Sequence, residues 1–355
     1  MKRRNFLKAL GSTAVGAGVA ATIGTPTKAF ARSKQDIGEC KSLKVTVLTE
    51  TSWFDNVKFK KDIVDNGGGG TNQYTIPWDP ENAGGYATLL EIEQLDGTVN
   101  KLLLDTGWSN EWMDYVFERH GVDKMIQSGE IDTMVISHWH LDHFWGIEST
   151  LKHNDKIKIY GPQTMYPEDE KLLGGGGTLE AKGVQICKND IPHKGEFVKT
   201  NPKDWYPLYP GVAVKEFDVP ILLRVRGENV IYVNVKDKGI VTVTGCCHPG
   251  LLTLYSTARR QIKGGQNIYG CYGGLHISLF ENWDPKFDDI IKGAKTFKPK
   301  KMGCNHCTGW IWAENAAKAG LPIVKGTDTY KTYPKQSSVA KDTNVFLTNG
   351  DTVVF

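Results

Sequence analysis

The chain has 355 residues, 40% hydrophobic and 23% charged, with a formal net charge of +3. That composition excludes a disordered chain, a fibrous repeat and a multispan membrane protein, and leaves room for two ordinary domains or one large α/β domain. The positive charge is local: residues 1–31 carry five basic side chains and no acidic one, the rest holds 38 basic against 40 acidic, and no nucleic-acid surface is indicated.

The chain begins Lys2-Arg3-Arg4-Asn5-Phe6-Leu7-Lys8, continues through a short Ala- and Gly-rich apolar stretch, and reaches Ala29-Phe30-Ala31. A basic start, a short apolar core and a small-x-small site read as a cleaved secretory signal, with a core too short to span a bilayer. The paired arginines resemble the twin-arginine signal, which directs folded proteins to export. Residues 1–31 are therefore read as signal peptide and 32–355 as one exported, periplasmic domain whose export partner is the twin-arginine machinery. Short β-rich runs follow: 43–48, 86–93, 101–104, 133–137 and 156–160, several of them continuously apolar as in strands buried on both faces. A helical pattern covers 111–126. In the second half, strands fit 212–219, 221–225, 230–235, 240–244, 267–271 and 322–324, and helices fit 251–262, 285–296 and 311–319. A terminal hairpin is expected from 345–348 and 352–355 through Asn349-Gly350-Asp351.

Two tetraglycine runs, Gly67–Gly70 and Gly174–Gly177, are either surface connections or flaps over a site. The aromatic segment 194–210, with Trp205, Tyr206 and Tyr209, is either a pocket wall or a packed loop. The predicted mature chain holds Cys40, Cys187, Cys246, Cys247, Cys271, Cys304 and Cys307. Seven is odd, so at least one is unpaired within the chain, and Cys304-x-x-Cys307 lacks the second pair of a zinc knuckle.

The informative segment is Met134-Val135-Ile136-Ser137-His138-Trp139-His140-Leu141-Asp142-His143, an apolar strand running into H-x-H-x-D-H. Imidazole and carboxylate together suit zinc, iron or manganese. In extended chain His138 and His140 point the same way and offer two ligands to one ion, while Asp142 and His143 can face a second. His120, His153 and His193 have no such context.

This motif resembles the signature of the metallo-β-lactamase-fold superfamily. Leu102-Leu103-Leu104-Asp105-Thr106-Gly107 is similar to the family's strand ending in Asp-x-Gly, and the resemblance gives Asp105 the role of buttressing the ligands. Gly245-Cys246-Cys247-His248-Pro249-Gly250, Gly273-Gly274-Leu275-His276 and His306-Cys307-Thr308-Gly309 resemble the dihydropteroate-synthase-like branch, which includes a ribofuranosylaminobenzene 5′-phosphate synthase. The resemblance implies an α/β (α+β) four-layer αββα sandwich with metals at one edge. It also implies one metal set of His138, His140 and His248 and another of Asp142, His143 and His306. Two departures stand out. Gly245-Cys246 occupies the place of the family's bridging Gly-Asp, so Cys246 is either a thiolate ligand or a small buried residue. Trp145-Gly146 replaces a common Gly-Gly, and the indole is expected to narrow the pocket. His276 is either a substrate-binding or acid/base histidine or a packed one.

The reading that follows is an exported metal-dependent hydrolase. Two divalent ions, zinc first and iron or manganese as alternatives, would hold a hydroxide for attack on an ester, lactone, amide or phosphoester of a small molecule. Asp142 would orient the hydroxide and take its proton, with His276 as the second catalytic group. The competing classes are a transferase of the ribofuranosylaminobenzene 5′-phosphate synthase type, an iron-dependent redox enzyme and a non-catalytic metal-containing binding protein.

Overall fold

The computed structural model describes residues 33–50, 56–79, 81, 84–334 and 344–355, so the signal reading of 1–31 lies outside the described residues. The elements in chain order are β1 (Ser42–Thr49), α1 (Asn56–Asp65), β2 (Ala87–Glu93), β3 (Val99–Leu104), α2 (Asn110–His120), α3 (Val122–Ser128), β4 (Ile131–Val135), α4 (Leu141–Phe144), α5 (Glu148–Leu151), β5 (Lys158–Pro162), α6 (Pro167–Leu173), β6 (Gly177–Ala181) and β7 (Val184–Asn189). There follow β8 (Phe197–Thr200), β9 (Tyr206–Tyr209), β10 (Val212–Pro220), β11 (Arg226–Val235), β12 (Gly239–Thr244), α7 (Leu251–Gln261), β13 (Ile268–Gly274), α8 (Lys286–Thr296), β14 (Lys301–Asn305), α9 (Trp310–Lys318) and β15 (Thr352–Val354).

The strands form two large mixed sheets, ordered β15-β1-β2-β3-β4-β5-β8 and β14-β13-β12-β11-β10-β9, and a separate β6-β7 hairpin. The apolar run of β3 shows how the layers arise. Side chains alternate across a strand, so Leu102 and Leu104 meet Val214, Ile231, Val233 and Val243 between the sheets. Leu103 faces the other way, with Trp112, Val116 and Phe117 of α2 and Ile126 of α3. On the far side Leu254, Tyr255 and Ala258 of α7, Ile291 of α8 and Trp312 and Ala316 of α9 cover the second sheet. Helix, sheet, sheet, helix is the four-layer αββα sandwich, and each aliphatic side chain buried in it contributes about 1.5–3 kcal/mol. No helix among the described residues is long and apolar enough to cross a membrane.

Several sequence expectations are corrected. The helix expected over 111–126 is two helices, because Gly121 takes φ 67° and closes α2 by donating its N–H to Glu118 and Phe117. Segment 221–225 is a tight turn instead of a strand: Ile221 N–H donates to Val225 O at 2.8 Å, and Leu223 and Arg224 adopt φ 59° and 60°. Segment 322–324 forms only a single bridge, Met302 to Ile323. The terminal hairpin does not form. Val353 pairs antiparallel with Val45 of β1, while the Asp351 carboxylate accepts the Thr348 N–H at 2.8 Å and curls 345–351 away from strand geometry. Strand β4 stops at Val135, two residues early, because the Ser137 N–H is taken by Asp105.

Candidate metal centre

The parallel pairs are β3-β4-β5-β8 in the first sheet and β12-β13-β14 in the second. Every candidate residue leaves the carboxyl end of one of these strands or the turn just beyond it: Asp105 after β3, His138–His143 after β4, Cys246 and His248 after β12, His276 after β13, His306 and Cys307 after β14. Side chains from both sheets therefore converge at one edge. Close approach is built in at Gly245, where a Cβ would stand 2.3 Å from Ser137 Oγ and 2.8 Å from Asp105 Oδ2. Asp105, Cys247, His276 and His306 hold φ of 64°, 59°, 48° and 50°. Left-handed non-glycine residues cost on the order of 1–3 kcal/mol each and collect where a site requires them.

The tautomers follow from the partners. Ser137 N–H donates to Asp105 Oδ1 and Ser137 O–H to Asp105 Oδ2, both at 2.6 Å. With its proton so used, Ser137 Oγ accepts from His138 Nδ1 at 2.9 Å, which leaves a lone pair on His138 Nε2. His140 Nε2 donates to Leu222 O at 2.8 Å, which leaves a lone pair on His140 Nδ1. These two lone pairs face each other at 2.9 Å. His143 donates from Nδ1 to Asp105 Oδ2 at 2.7 Å, His306 from Nδ1 to Glu50 O at 2.7 Å, and His248 from Nδ1 to Glu228 Oε2 at 2.9 Å. The Nε2 atoms of His143 and His306 each stand 3.4 Å from Asp142 Oδ2. His248 Nε2 is buried and has no partner. Acceptors facing acceptors in a closed space are what a cation resolves.

Cys246 sits at the centre. Its Sγ lies 3.2 Å from His143 Nε2, and its ligand atom falls within 4.8 Å of those of His138 and His248 on one side and of His143 and His306 on the other. It groups likewise with His276 and Cys307. The residue is also buried, as the alternative of a small packed side chain requires. Burial holds His138 and His143 well below the ordinary imidazole range, with neighbouring imidazoles adding to it. Burial, followed by His248, takes His140 down to about 3, and burial lowers His306. All four are therefore neutral, the form that binds metal. Burial pushes the Cys246 thiol well up, and an adjacent cation reverses that preference. Burial pushes the Asp105 carboxyl up while the Ser137 bonds pull it down, and its three donors suit the ionised form.

Sequence reasoning missed Glu228. This fully buried side chain accepts from Thr244 Oγ1 (2.8 Å), Cys246 N (3.2 Å), Cys247 N (2.8 Å), His248 N (2.6 Å) and His248 Nδ1. Burial alone would raise its pKa, but the His248 imidazole, the Thr244 hydroxyl and the His248 N–H together outweigh that and it is lowered. The available signal was an acid and an amide, Glu228-Asn229, interrupting the apolar strand β11.

Residues 83–226 match the family model of the metallo-β-lactamase superfamily. Over that stretch the chain is similar to the superfamily. A curated relative, the 7,8-dihydropterin-6-methyl-4-(β-D-ribofuranosyl)-aminobenzene-5′-phosphate synthase of Methanocaldococcus jannaschii, is 27% identical over 289 residues, 74% of this chain and 90% of its own length. Among solved structures, a metal-dependent hydrolase of the β-lactamase superfamily aligns with TM-score 0.49 and 17% identity, covering 79% of this chain and 93% of its own. The metallo-β-lactamase fold protein YhfI from Bacillus subtilis aligns with TM-score 0.45 and 12% identity, covering 89% and 100%.

Against the superfamily pattern, the expectation for Trp145 is corrected. Its indole is buried, donates to Tyr74 O–H at 3.0 Å, and lines a cavity of ≈ 610 Å³ with Trp108 and Trp112 that none of the candidate ligands touches. The Gly67–Gly70 run does reach the site: Gly69 O accepts the Leu223 N–H at 2.7 Å and Gly70 O accepts from Arg224 Nε, clasping the turn that covers His140. The Gly174–Gly177 run joins α6 to β6 instead. The aromatic segment is packed: Trp205 lies 5.2 Å from Tyr232 and Tyr206 lies 6.4 Å from Tyr160, ring centre to ring centre. All seven cysteines are free thiols. Cys304 lies in the α7–α9 core and Cys307 at the site, so the C-x-x-C pair is split between two environments. His120 bonds Tyr333 O–H and His193 bonds Ile157 O, away from the centre.

Proposed function

We propose that the protein is an exported hydrolase with two divalent ions, zinc being the best match to the donors, acting on an ester, lactone, amide or phosphoester. The observation that carries this is the pair of imidazole nitrogens, His138 Nε2 and His140 Nδ1, held 2.9 Å apart while Ser137 Oγ and Leu222 O engage the other nitrogen of each ring. Together with the orphaned His248 Nε2 they form a donor set that fits a metal. His138, His140 and His248 would hold one ion and Asp142, His143 and His306 the other, with Cys246 between the sets. When bound, such ions make water acidic enough to attack at neutral pH and polarise the group attacked.

The chain's own residues supply the rest. Asp142 orients the attacking water and accepts its proton at Oδ2. Asp105 and Glu228 fix the proton on Nδ1 of His143 and His248, so that Nε2 faces inward. His276, whose Nδ1 is buried without a partner and whose ring lies 4.4 Å from that of His248, would hand a proton to the leaving group. Phe59, Leu222, Leu223 and Leu279 close the centre down to a cavity of ≈ 30 Å³ and keep bulk water out.

A second reading, a phosphate-ester synthase like the Methanocaldococcus relative, rests on the 27% identity. No lysine or arginine lines either cavity at the centre among the described residues, which favours the hydrolase. The test is hydrolysis of an ester, lactone and phosphoester panel by chelator-stripped and zinc-reloaded protein. Activity that returns with zinc and falls about 10²–10⁴-fold in Asp142→Asn is expected. An Asp142→Asn enzyme as fast as wild type would refute the assignment.

A further inference from the structure

A cavity of ≈ 540 Å³ adjoins the metal centre and shares Leu222 and His276 with it. Its wall is aliphatic: Ile221 from the turn after β10, Leu251 and Leu252 from α7, Leu275 and Ile277 after β13, and Ile290 from α8. No charged side chain lines it; His248 and His276 are its only ring nitrogens, and both stand at the end facing the metal set. Leu222 is 40% exposed at the mouth, an apolar side chain left partly in water. Binding pockets of a few hundred cubic ångströms with apolar walls and a few convergent polar groups take largely apolar ligands. The charge on the wall matters as much as its size. A phosphate on the tail, away from the metal end, would bring a doubly charged group to a wall with no cation, at a desolvation cost the wall does not offset.

We infer that this cavity receives an aliphatic or otherwise apolar, uncharged tail of the substrate, whose reacting group then lies at His248 and His276. The inference rests on the hydrolase reading only for the reaction, not for the tail. Each methylene that enters such a wall is worth about a fourfold gain in affinity. Away from the metal end, the amino end of α7 at Gly250, which has no side-chain cap, is the place in the cavity that would attract an anion, so inorganic phosphate is the competing probe.

The test is calorimetry of straight-chain primary alcohols, butanol to decanol, against the zinc-loaded mature protein. Hydrolysis of esters of matching acyl length is measured alongside. Affinity should rise about fourfold per methylene until the wall is filled. Leu252→Asp and Ile290→Asp should flatten that rise; both side chains are only partly buried and tolerate a charge without unfolding. Affinity independent of chain length in wild type, or displacement of the alcohols by inorganic phosphate from chelator-stripped protein, would overturn the inference. Graded alcohol binding without hydrolysis of any ester would leave the pocket standing and remove the hydrolase. Hydrolysis with no dependence on chain length would do the reverse.

Discussion

Glu228→Gln tests how the centre is wired. The carboxylate accepts five hydrogen bonds, three at Oε1 and two at Oε2. An amide can accept at only one end. With its NH2 at the Oε2 place, the variant loses the bonds from His248 N and His248 Nδ1; with it at the Oε1 place, it loses three. Bonds to a charged acceptor are worth roughly 1.5–3 kcal/mol each, so the metal-free protein should lose about 3 kcal/mol or more. The second consequence is chemical. An amide NH2 facing His248 Nδ1 must donate, which moves the ring proton to Nε2 and removes the lone pair aimed at the metal. Loss of such an outer partner costs about 10–100-fold in metal affinity. Urea unfolding of stripped protein reads the first effect and competitive zinc titration the second. Wild-type stability together with wild-type zinc affinity in Glu228→Gln would refute the tautomer argument.

Three further outcomes are expected. Gly245→Ala places a methyl 2.3 Å from Ser137 Oγ, and thermal unfolding should show a loss of about 1–3 kcal/mol with weakened zinc retention. His140 is buried neutral with its pKa lowered to about 3, so the unfolded chain binds its proton below about pH 6.5 while the folded chain does not, and stability is lost as pH falls through that window. Stripped His140→Gln should therefore gain about 2 kcal/mol on stripped wild type between pH 6.5 and 5 by urea unfolding; a pH-independent difference would count against a neutral buried ring. Replacing Arg3 and Arg4 together by lysine should strand the protein in the cytoplasm on cell fractionation, and undiminished export would remove the twin-arginine reading.

What the sequence made legible was local. H-x-H-x-D-H at the end of an apolar strand announced six residues of chain that share one corner, and the alternation rule placed His138 and His140 side by side, their rings 4.6 Å apart. The run Leu102–Leu104 gave a doubly buried strand and Asp105 at its end, now bonded to Ser137 and His143. The illegible parts depend on register between distant strands. Glu228 reaches His248 because β11 lies between β10 and β12 and because Asn229 N–H docks on Ser137 O at 2.7 Å, some ninety residues away in sequence. No spacing within β11 reveals that. Cys246 looked ambiguous because a thiol is equally at home in a core, and only the convergence of both sheets brings it between the His138–His248 and His143–His306 pairs. The turn at 221–225 read as a strand because four of its five residues, all but Arg224, are apolar. Ile221, Leu222 and Leu223 face the covered centre or the adjoining cavity, and two left-handed residues break the extended chain.

The most direct measurement is elemental analysis of the mature protein, purified without chelator, beside His140→Ala. About two zinc or manganese ions per chain in wild type, with a clear loss in the variant, is the expected result. Iron in their place would move the chemistry towards redox. Wild-type protein that carries no metal and takes up none on incubation with zinc would contradict the account, and leave the converging imidazoles without a purpose in catalysis.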